Sequence, residues 1–310
     1  MKLYFGGYPN DTLNGICTVD FIDGKFKNLD CICQHRHTTY FDHIGKIIYS
    51  IASFENEGVL ARIDELNDDV DMVSEGSCPS CYVTVSHHGD RVVTTNYHEG
   101  FVNIYDVDLN LIEHLDFGND AKMHCAWFSS DDERLILVSL GLDQCFVLNK
   151  ELKIIRAVQF PKGSGIRHVV SSKDEHYLYI LSELSNEIFV LDLQTYEIVA
   201  KESILIEHLK STSGAALRLS KDGKHLYAST RGQDLITNFV VDGAKLMLDE
   251  VYHCSGKNPR DFILTDDEKY VIVAYQDCDF VEAICLNEDK RLRDISDRLM
   301  LKKIVCVKEF

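Results

Sequence analysis

The chain has 310 residues, 45% of them hydrophobic, and a formal net charge of −18, which allows a large core and argues against nucleic acid or an anionic membrane surface as a partner. No run of about 18 apolar residues predicts a membrane span, and the first residues lack the apolar run of a signal peptide. The 11 scattered cysteines are therefore expected to be reduced thiols in the cytoplasm, and the lack of a linker predicts a single domain over residues 1–310.

Along the chain, one motif returns roughly every 45 residues: a short apolar stretch ending in Ser or Thr, a polar turn, and a second apolar stretch. Copies lie at 82–96, 126–139, 168–183, 217–230 and 261–276. The marker residues are Ser86, Ser129, Ser171, Ser220 and Thr265, at steps of 43, 42, 49 and 45. A weaker copy at 40–53 places Asp42 at the marker position. A period of this size with strand-like units is typical of a β-propeller.

Each unit is predicted to be a blade of four antiparallel strands. The alternating, β-branched and aromatic segments 177–181 and 270–274 are typical of second strands, and third and fourth strands follow in each unit. Six units fit between about 34 and 295. The remaining strand-like segments, at 2–5, 16–21, 28–33 and 303–307, predict a seventh blade built from both ends of the chain, which removes free sheet edges. The fold class is thus all-β, a seven-bladed β-propeller.

The hairpin geometry of a blade selects the candidate site. The start of a first strand and the end of a second strand lie at the same end of an antiparallel hairpin, so in a propeller these residues line one mouth of the channel. The residues at these positions are Asn96, His124, Arg167, His168, Glu183, Arg231, Arg260, Gln276 and Asp277. Taken singly, each has a structural interpretation: His124 as a satisfied histidine, Arg167 and Glu183 as an ion pair between strands. Their joint position at one mouth favours a functional site.

At these residues the chain resembles the lactonase β-propeller family, which contains seven-bladed 6-phosphogluconolactonases and the 3-carboxy-cis,cis-muconate lactonizing enzyme. The resemblance covers nearly the whole chain. It depends on the order and spacing of several short segments: Tyr4-Phe5-Gly6-Gly7-Tyr8, Asn96-Tyr97, His124, Gly163-Ser164-Gly165-Ile166-Arg167-His168, Ser182-Glu183-Leu184-Ser185, Ser229-Thr230-Arg231-Gly232, Gly256-Lys257-Asn258-Pro259-Arg260 and Ile304-Val305-Cys306-Val307. The chain departs from the family pattern at three places: Ile166 replaces a usual Pro, His35-Arg36-His37 replaces an Asn-Pro-Ser-like entrance, and the turn of blade four lacks the common Pro-Asp-Gly.

The resemblance implies lactone chemistry without a metal or other cofactor. By matching position it implies the catalytic residues His124, Arg167, Glu183 and Arg231. Substrate binding is then expected from Asn96, His168, Arg260 and Gln276. Glu183 is the expected general base with His124 as its acid/base partner, or the reverse. His35 and His37 share a strand face, but with no third ligand identifiable no metal site is predicted.

The predicted function is metal-independent lactone hydrolysis, as 6-phosphogluconolactonase in the pentose phosphate pathway. One alternative is a muconate-type lactonizing enzyme, a cycloisomerase that uses the same arginines. The other alternative is a non-enzymatic propeller that binds a ligand or a protein, because a fold alone does not determine function. The expected partner is a small anionic sugar lactone or diacid, and the expected state is a monomer or weak homo-oligomer.

Overall fold

In the computed structural model, the chain forms seven sheets of four antiparallel strands each, the architecture of a seven-bladed β-propeller. The structure describes residues 1–9, 15–67 except 34–37, 69–206 and 212–310, with the side chain of Cys33 excepted. The predictions of fold class and of four strands per blade are confirmed. No helix in these described ranges has the length and apolar character needed to cross a membrane.

The first three blades follow one another along the chain. The strands of blade 1 are β4 (Phe41–Ile44), β5 (Ile47–Phe54), β6 (Glu57–Asp64) and β7 (Asp69–Gly76). Those of blade 2 are β8 (Tyr82–Val85), β9 (Val92–Thr95), β10 (Phe101–Tyr105) and β11 (Leu111–Asp116). A single-turn 3₁₀ helix (Asn119–Ala121) leads into blade 3, whose strands are β12 (Met123–Phe128), β13 (Arg134–Ser139), β14 (Gln144–Asn149) and β15 (Ile154–Gln159).

The next three blades repeat this order. The strands of blade 4 are β16 (Ile166–Ser171), β17 (Tyr177–Ser182), β18 (Glu187–Asp192) and β19 (Ile198–Ser203). Blade 5 has β20 (Ser213–Leu219), β21 (His225–Arg231), β22 (Leu235–Asp242) and β23 (Lys245–His253). Blade 6 has β24 (Pro259–Leu264), β25 (Tyr270–Tyr275), β26 (Val281–Leu286) and β27 (Leu292–Leu299).

Blade 7 joins the two ends of the chain. Its strands are β1 (Lys2–Gly7), β2 (Ile16–Ile22), β3 (Lys25–Cys33) and β28 (Ile304–Glu309), in the order β28-β1-β2-β3. The last strand of the sequence therefore pairs with the first, as predicted, and closes a sheet that the N-terminal segment alone would leave with three strands.

The marker residues close the turn between the first and second strands of a blade. In blade 3 the Ser129 hydroxyl donates to Asp131 at 2.5 Å and accepts from the backbone N–H of Arg134 at 3.0 Å. The same hydroxyl–carboxylate clasp is formed by Ser86 with Asp90, Ser172 with Asp174, Ser220 with Asp222, and Thr265 with Asp267. These clasps explain why Ser or Thr recurs at the marker position of the sequence motif. In each turn, the side-chain oxygen takes the place of a backbone hydrogen-bond partner.

Two marker assignments were wrong. In blade 4 the clasp is made by Ser172, while Ser171 is the last residue of β16. In blade 1 Asp42 lies inside β4, and the two-residue turn that follows is Gly45-Lys46. The Asp42 carboxylate instead accepts the backbone N–H of Val85 at 3.0 Å, so it satisfies the open edge of a neighbouring first strand.

Buried tyrosines on second strands tie consecutive blades together. The Tyr49 hydroxyl donates to the carbonyl of Val107 at 2.7 Å, in the turn before β11. The Tyr179 hydroxyl does the same to Gly243 at 2.9 Å, before β23, and the Tyr227 hydroxyl to Lys290 at 2.6 Å, before β27. Each ring is almost completely buried, so one side chain supplies apolar contact along its length and a hydrogen bond at its tip.

The chain divides into two compact units. The first unit consists of Met1–Phe5, Thr18–Asp30 and Ile166–Phe310, and the second of Gly6–Cys17 and Cys31–Gly165. Apolar side chains of blades 4 and 5 form one core in the first unit, around Leu181, Val190 and Phe239. The core of the second unit includes Val93, Leu137 and Leu148 from blades 2 and 3. The prediction of a single domain stays a prediction.

Candidate active site

The predicted site residues lie at strand ends, and several of them occupy β-bulges. In β16 the pairing register skips Arg167, in β24 it skips Arg260, and in β12 it skips His124. A bulge adds one residue to a strand and turns its side chain out of the regular alternation. The bulges therefore explain how a polar side chain at the start of a first strand is directed away from the packed faces of its sheet.

Two arginines of the first unit converge on one carboxylate. An Nη atom of Arg167 lies 2.5 Å from Oε2 of Glu183, and an Nη atom of Arg231 lies 3.0 Å from Oε1 of the same group. The side chains are 6% exposed for Arg167, 15% for Arg231 and 18% for Glu183. Charge-assisted bonds of this kind hold their partners more firmly than neutral ones, and burial strengthens them.

The backbone of β20 supports this cluster. Nε of Arg167 donates to the carbonyl of Ala215 at 2.9 Å, and Arg231 donates to the carbonyl of Gly214 at 3.3 Å. The N–H of Gly214 in turn donates to the carbonyl of Glu183 at 3.1 Å. A Cβ atom on Gly214 would overlap the carbonyl oxygen of Ser182, so only glycine permits this close approach of β20 to the end of β17.

Burial and neighbouring charges alter the electrostatics of Arg231. Burial, together with the positive charges of Arg167 and Arg260, lowers the pKa of Arg231 to about 10, and Glu183 opposes this shift. Its Nε is buried, and no acceptor for it exists among the residues that the structure describes. A buried donor left unsatisfied is costly, and the guanidinium group as a whole is suited to contact a carboxylate or phosphate.

A polar cavity of about 220 Å³ lies beside Arg231. It is lined by Ser213, Arg231, Gly232, Asn258 and Gln276. The side-chain Oε1 of Gln276 accepts a 2.8 Å hydrogen bond from the guanidinium of Arg260. The structure thus brings together Arg167, Glu183 and Arg231 in one cluster, and Arg260 and Gln276 in a pair at the cavity. Asp277, which was also predicted at the channel mouth, follows Gln276 and accepts a hydrogen bond from the side chain of Asn258.

The remaining predicted residue of the first unit is His168. It follows Arg167 in β16 and is 5% exposed. Its pairing partner across the hairpin is Leu181, so it belongs to the regular part of the strand. Its predicted role in substrate binding stays a prediction.

In the second unit, His124 and Asn96 have different surroundings. The His124 ring is 4% exposed and meets the Tyr97 ring edge to face, with centroids 6.1 Å apart. The Nζ of Lys122 lies 5.6 Å above the same tyrosine ring. The Asn96 amide donates to the carbonyl of Cys78 at 2.9 Å and accepts the N–H groups of residues 98 and 99. Its side chain therefore organises the loop after β9, and the catalytic and binding roles of this pair stay predictions.

A larger cavity, of about 380 Å³, lies elsewhere in the second unit. It is lined by residues of β4 and β8, of the turn after β8, and of the C-terminal end of β12, including His43, Tyr82, Thr84, His87 and Trp127. In β12 this is the opposite end of the strand from His124. The arginine cluster is the better candidate site despite its smaller cavity, because it combines opposite charges, buried donors and a polar lining.

Metal binding finds no support in the described residues, where no group of three or more His, Cys, Asp and Glu side chains could hold an ion. The histidines of the His35-Arg36-His37 segment lie outside the described residues.

Sequence reasoning missed the residues that support the cluster. Gly214, Ser213 and Asn258 belong to the site by contact, although none is a charged group at a strand end. A glycine inside the apolar stretch Gly214–Leu217 is the signal that could have indicated a close backbone approach. For Asn258, the signal was an amide directly before a proline at a blade entrance.

Fold and site together describe a β-propeller with an arginine-rich, acid-containing polar site. The chain belongs to the lactonase family of seven-bladed β-propellers, because the pattern of that family, "Lactonase, 7-bladed beta-propeller", matches residues 2–309. The resemblance noted in the sequence motifs is thereby confirmed.

Among individual relatives, the uncharacterized protein YwcC of Lactococcus lactis is 30% identical over 307 residues, covering 90% of each chain. The 6-phosphogluconolactonase of Bacillus subtilis is 25% identical over 294 residues, covering 84% of this chain and 83% of its own. A solved structure of a protein from Lactobacillus plantarum superimposes with a TM-score of 0.90 at 25% identity, covering 99% and 98% of the two chains.

Proposed function

We propose that this chain is a lactone hydrolase acting on an anionic sugar lactone, with 6-phosphogluconolactone as the first candidate substrate. The observation that carries this proposal is the convergence of Arg167 and Arg231 on Glu183 beside a polar cavity. Membership of the lactonase family and the similarity to a bacterial 6-phosphogluconolactonase support the same reaction class. The pentose phosphate pathway and a cytoplasmic location belong to this proposal as well.

The reaction opens an ester ring. A water oxygen attacks the lactone carbonyl carbon, negative charge develops on the carbonyl oxygen, and the bond from that carbon to the ring oxygen breaks. The proton lost by the water is passed to the departing ring oxygen, so the products are a carboxylic acid and an alcohol. The site must therefore supply one group that accepts and returns a proton, and at least one cation near the carbonyl oxygen.

The geometry supports different roles for the two arginines. Arg167 is held by the Ala215 carbonyl and by Glu183, so its role is to fix the carboxylate that acts as general base. Arg231 lines the cavity, and a guanidinium can contact an anion bidentately, so its role is to bind the oxyanion or an anionic substituent. Assignment of the base to His124 in place of Glu183 is the alternative.

The charges favour an anionic substrate. The guanidinium groups of Arg167 and Arg260 and the carboxylate of Glu183 all lie close enough for their charges to influence Arg231. The protein as a whole carries a net charge of −18, so a group of three arginines is a local departure from its acidic composition. Arg260 and Gln276 are suited to bind the phosphate or the hydroxyl groups of a sugar.

The test is hydrolysis of freshly generated 6-phosphogluconolactone, followed by acid release above the spontaneous rate, with glucono-δ-lactone as the phosphate-free comparison. We expect acceleration by the wild-type protein. Loss of the base through Glu183→Gln should reduce kcat by about 10²–10⁴-fold. Arg231→Ala should abolish any preference for the phosphorylated lactone.

The matched control is Arg291→Gln, which removes an arginine that pairs with Asp249 at 2.6 Å away from the cavity. This variant should keep full activity. Failure of the wild-type protein to accelerate either lactone, or full activity of Glu183→Gln, would contradict the proposal. In the first case a muconate-type diacid is the next substrate to assay.

A further inference from the structure

Asn258 forms four hydrogen bonds at the edge of the cavity. Its N–H donates to Oδ1 of Asp234 at 2.6 Å, and its carbonyl accepts the N–H of Gln276 at 3.0 Å. In the side chain, Oδ1 accepts the N–H of Gly232 at 2.9 Å, and Nδ2 donates to the Asp277 carboxylate. Every bond leads to a loop that borders the cavity.

These bonds connect three segments that each carry a residue of the proposed site. Gly232 directly follows Arg231 at the end of β21, and Asp277 directly follows Gln276 after β25. Asn258 itself stands two residues before Arg260, at the entrance to β24. One side chain thus fixes the spacing between the ends of two blades' strands, and with it the positions of Arg231, Gln276 and Arg260.

Only asparagine meets all the requirements of this position. The backbone has φ of 54°, in the left-handed region that asparagine, aspartate and glycine tolerate best. The side chain must accept one hydrogen bond and donate another, which an amide does and a carboxylate does not. Aspartate would place a second carboxylate against Asp277, and glycine would keep the backbone conformation while losing both side-chain bonds.

We propose that Asn258 is a positioning residue that sets the geometry of the ligand-binding side chains Arg231, Arg260 and Gln276. This inference rests on the proposed function for the identity of the reaction. Asn258 acts through neighbouring residues, since its side-chain atoms are hydrogen-bonded to Gly232 and Asp277. We therefore expect a change in the hydrogen bonds at position 258 to alter substrate affinity more than it alters kcat.

The experiment exchanges the donor and the acceptor. Asn258→Asp and Asn258→Gly are each compared with the double variant Asn258→Asp/Asp277→Asn, in which the amide at position 277 would donate to the carboxylate at position 258. The control is Asn287→Asp, since Asn287 accepts the N–H of Arg291 in the turn before β27. The readouts are KM and kcat for 6-phosphogluconolactone, and calorimetric affinities for 6-phosphogluconate and inorganic phosphate, with circular dichroism as the check on folding.

We expect Asn258→Asp and Asn258→Gly to raise KM about 10- to 100-fold, as small displacements of binding groups do, with a smaller effect on kcat. The affinity for both anions should fall in parallel. The loss in Asn258→Asp should diminish at acid pH, where the two carboxyl groups share a proton. The double variant should recover to within about threefold of the wild type because the swap restores donor and acceptor.

Wild-type KM and anion affinity in folded Asn258→Asp and Asn258→Gly proteins would overturn the inference, as would a folded double variant that recovers nothing. Wild-type protein that binds neither 6-phosphogluconate nor phosphate would overturn it too. Anion binding that depends on Asn258 without any hydrolysis would instead sustain this inference and remove the proposed function.

Discussion

Replacement of Glu183 by glutamine tests the central electrostatic element of the site. The carboxylate pairs with two guanidinium groups, of which Arg167 is 6% exposed and Arg231 is 15% exposed. Removing one partner of a buried pair costs about 3–5 kcal/mol, because the remaining charge is left without compensation. Both arginines are partly exposed and glutamine retains one side-chain oxygen, so we expect a loss near the lower end of this range. That loss is about 3 kcal/mol, or roughly 5 °C in Tm.

The matched control is Glu250→Gln. Glu250 pairs with Arg293 at 2.9 Å, but that arginine is 42% exposed. Solvent screening limits a pair of this kind to about 1 kcal/mol. Thermal unfolding followed by circular dichroism, with both variants at one pH and salt concentration, measures the difference directly.

The Glu183→Gln variant should also differ from the wild type in how much phosphate stabilises it. Without the Glu183 carboxylate, the two guanidinium groups are available to a phosphate ion, which stabilises the folded state by about 1.4 kcal/mol at ten times its Kd. Phosphate should therefore raise the Tm of Glu183→Gln more than that of the wild type. Equal stability of Glu183→Gln and Glu250→Gln, or an equal phosphate response in Glu183→Gln and wild type, would refute the assignment of Glu183 as the buried counter-ion.

Three further outcomes are expected. The pKa of Arg231 is lowered to about 10, so its guanidinium keeps its positive charge below that pH. The calorimetric affinity for 6-phosphogluconate should therefore be constant from about pH 7 to 9 and fall as the pH rises through 10. An unchanged affinity at pH 11 would contradict this expectation. Gly214→Ala should lose about 1–3 kcal/mol of stability in urea unfolding, because its Cβ meets the Ser182 carbonyl, and activity should fall with it. Tyr227→Phe should cost about 1 kcal/mol through loss of its bond to the Lys290 carbonyl, with kinetic constants unchanged.

The fold could be predicted because the same local physics recurs in blade after blade. A hydroxyl that closes a tight turn, as Ser129 does, must stand between two apolar strands, and this leaves a periodic mark in the sequence. The position of the turn residue is ambiguous in the sequence where two adjacent residues both carry a hydroxyl. Ser171 and Ser172 both fit the pattern, and only the hydrogen bond to Asp174 identifies the second.

The site was predictable in position and only partly in geometry. Hairpin topology placed Arg167, Glu183 and Arg231 at strand ends on one side of their blades, and the structure joins them. The bulge at Arg167 was not predictable, since an extra residue in a strand carries no side-chain signature of its own. The role of Asn258 was not predictable either, because its hydrogen-bond partners belong to segments that are distant in sequence and come together only in the folded chain.

The pairing of β28 with β1 has a consequence for how the protein is made. Translation at about 5–20 residues per second releases β1 roughly 15 to 60 s before its partner. During that time β1 presents an open edge, which is where strands of other chains can add. Blades 1 to 6 draw their four strands from contiguous sequence and can form as they emerge. A chain that lacks only β28 would thus keep six complete blades and expose one unpaired strand edge, to which a strand of another chain can add.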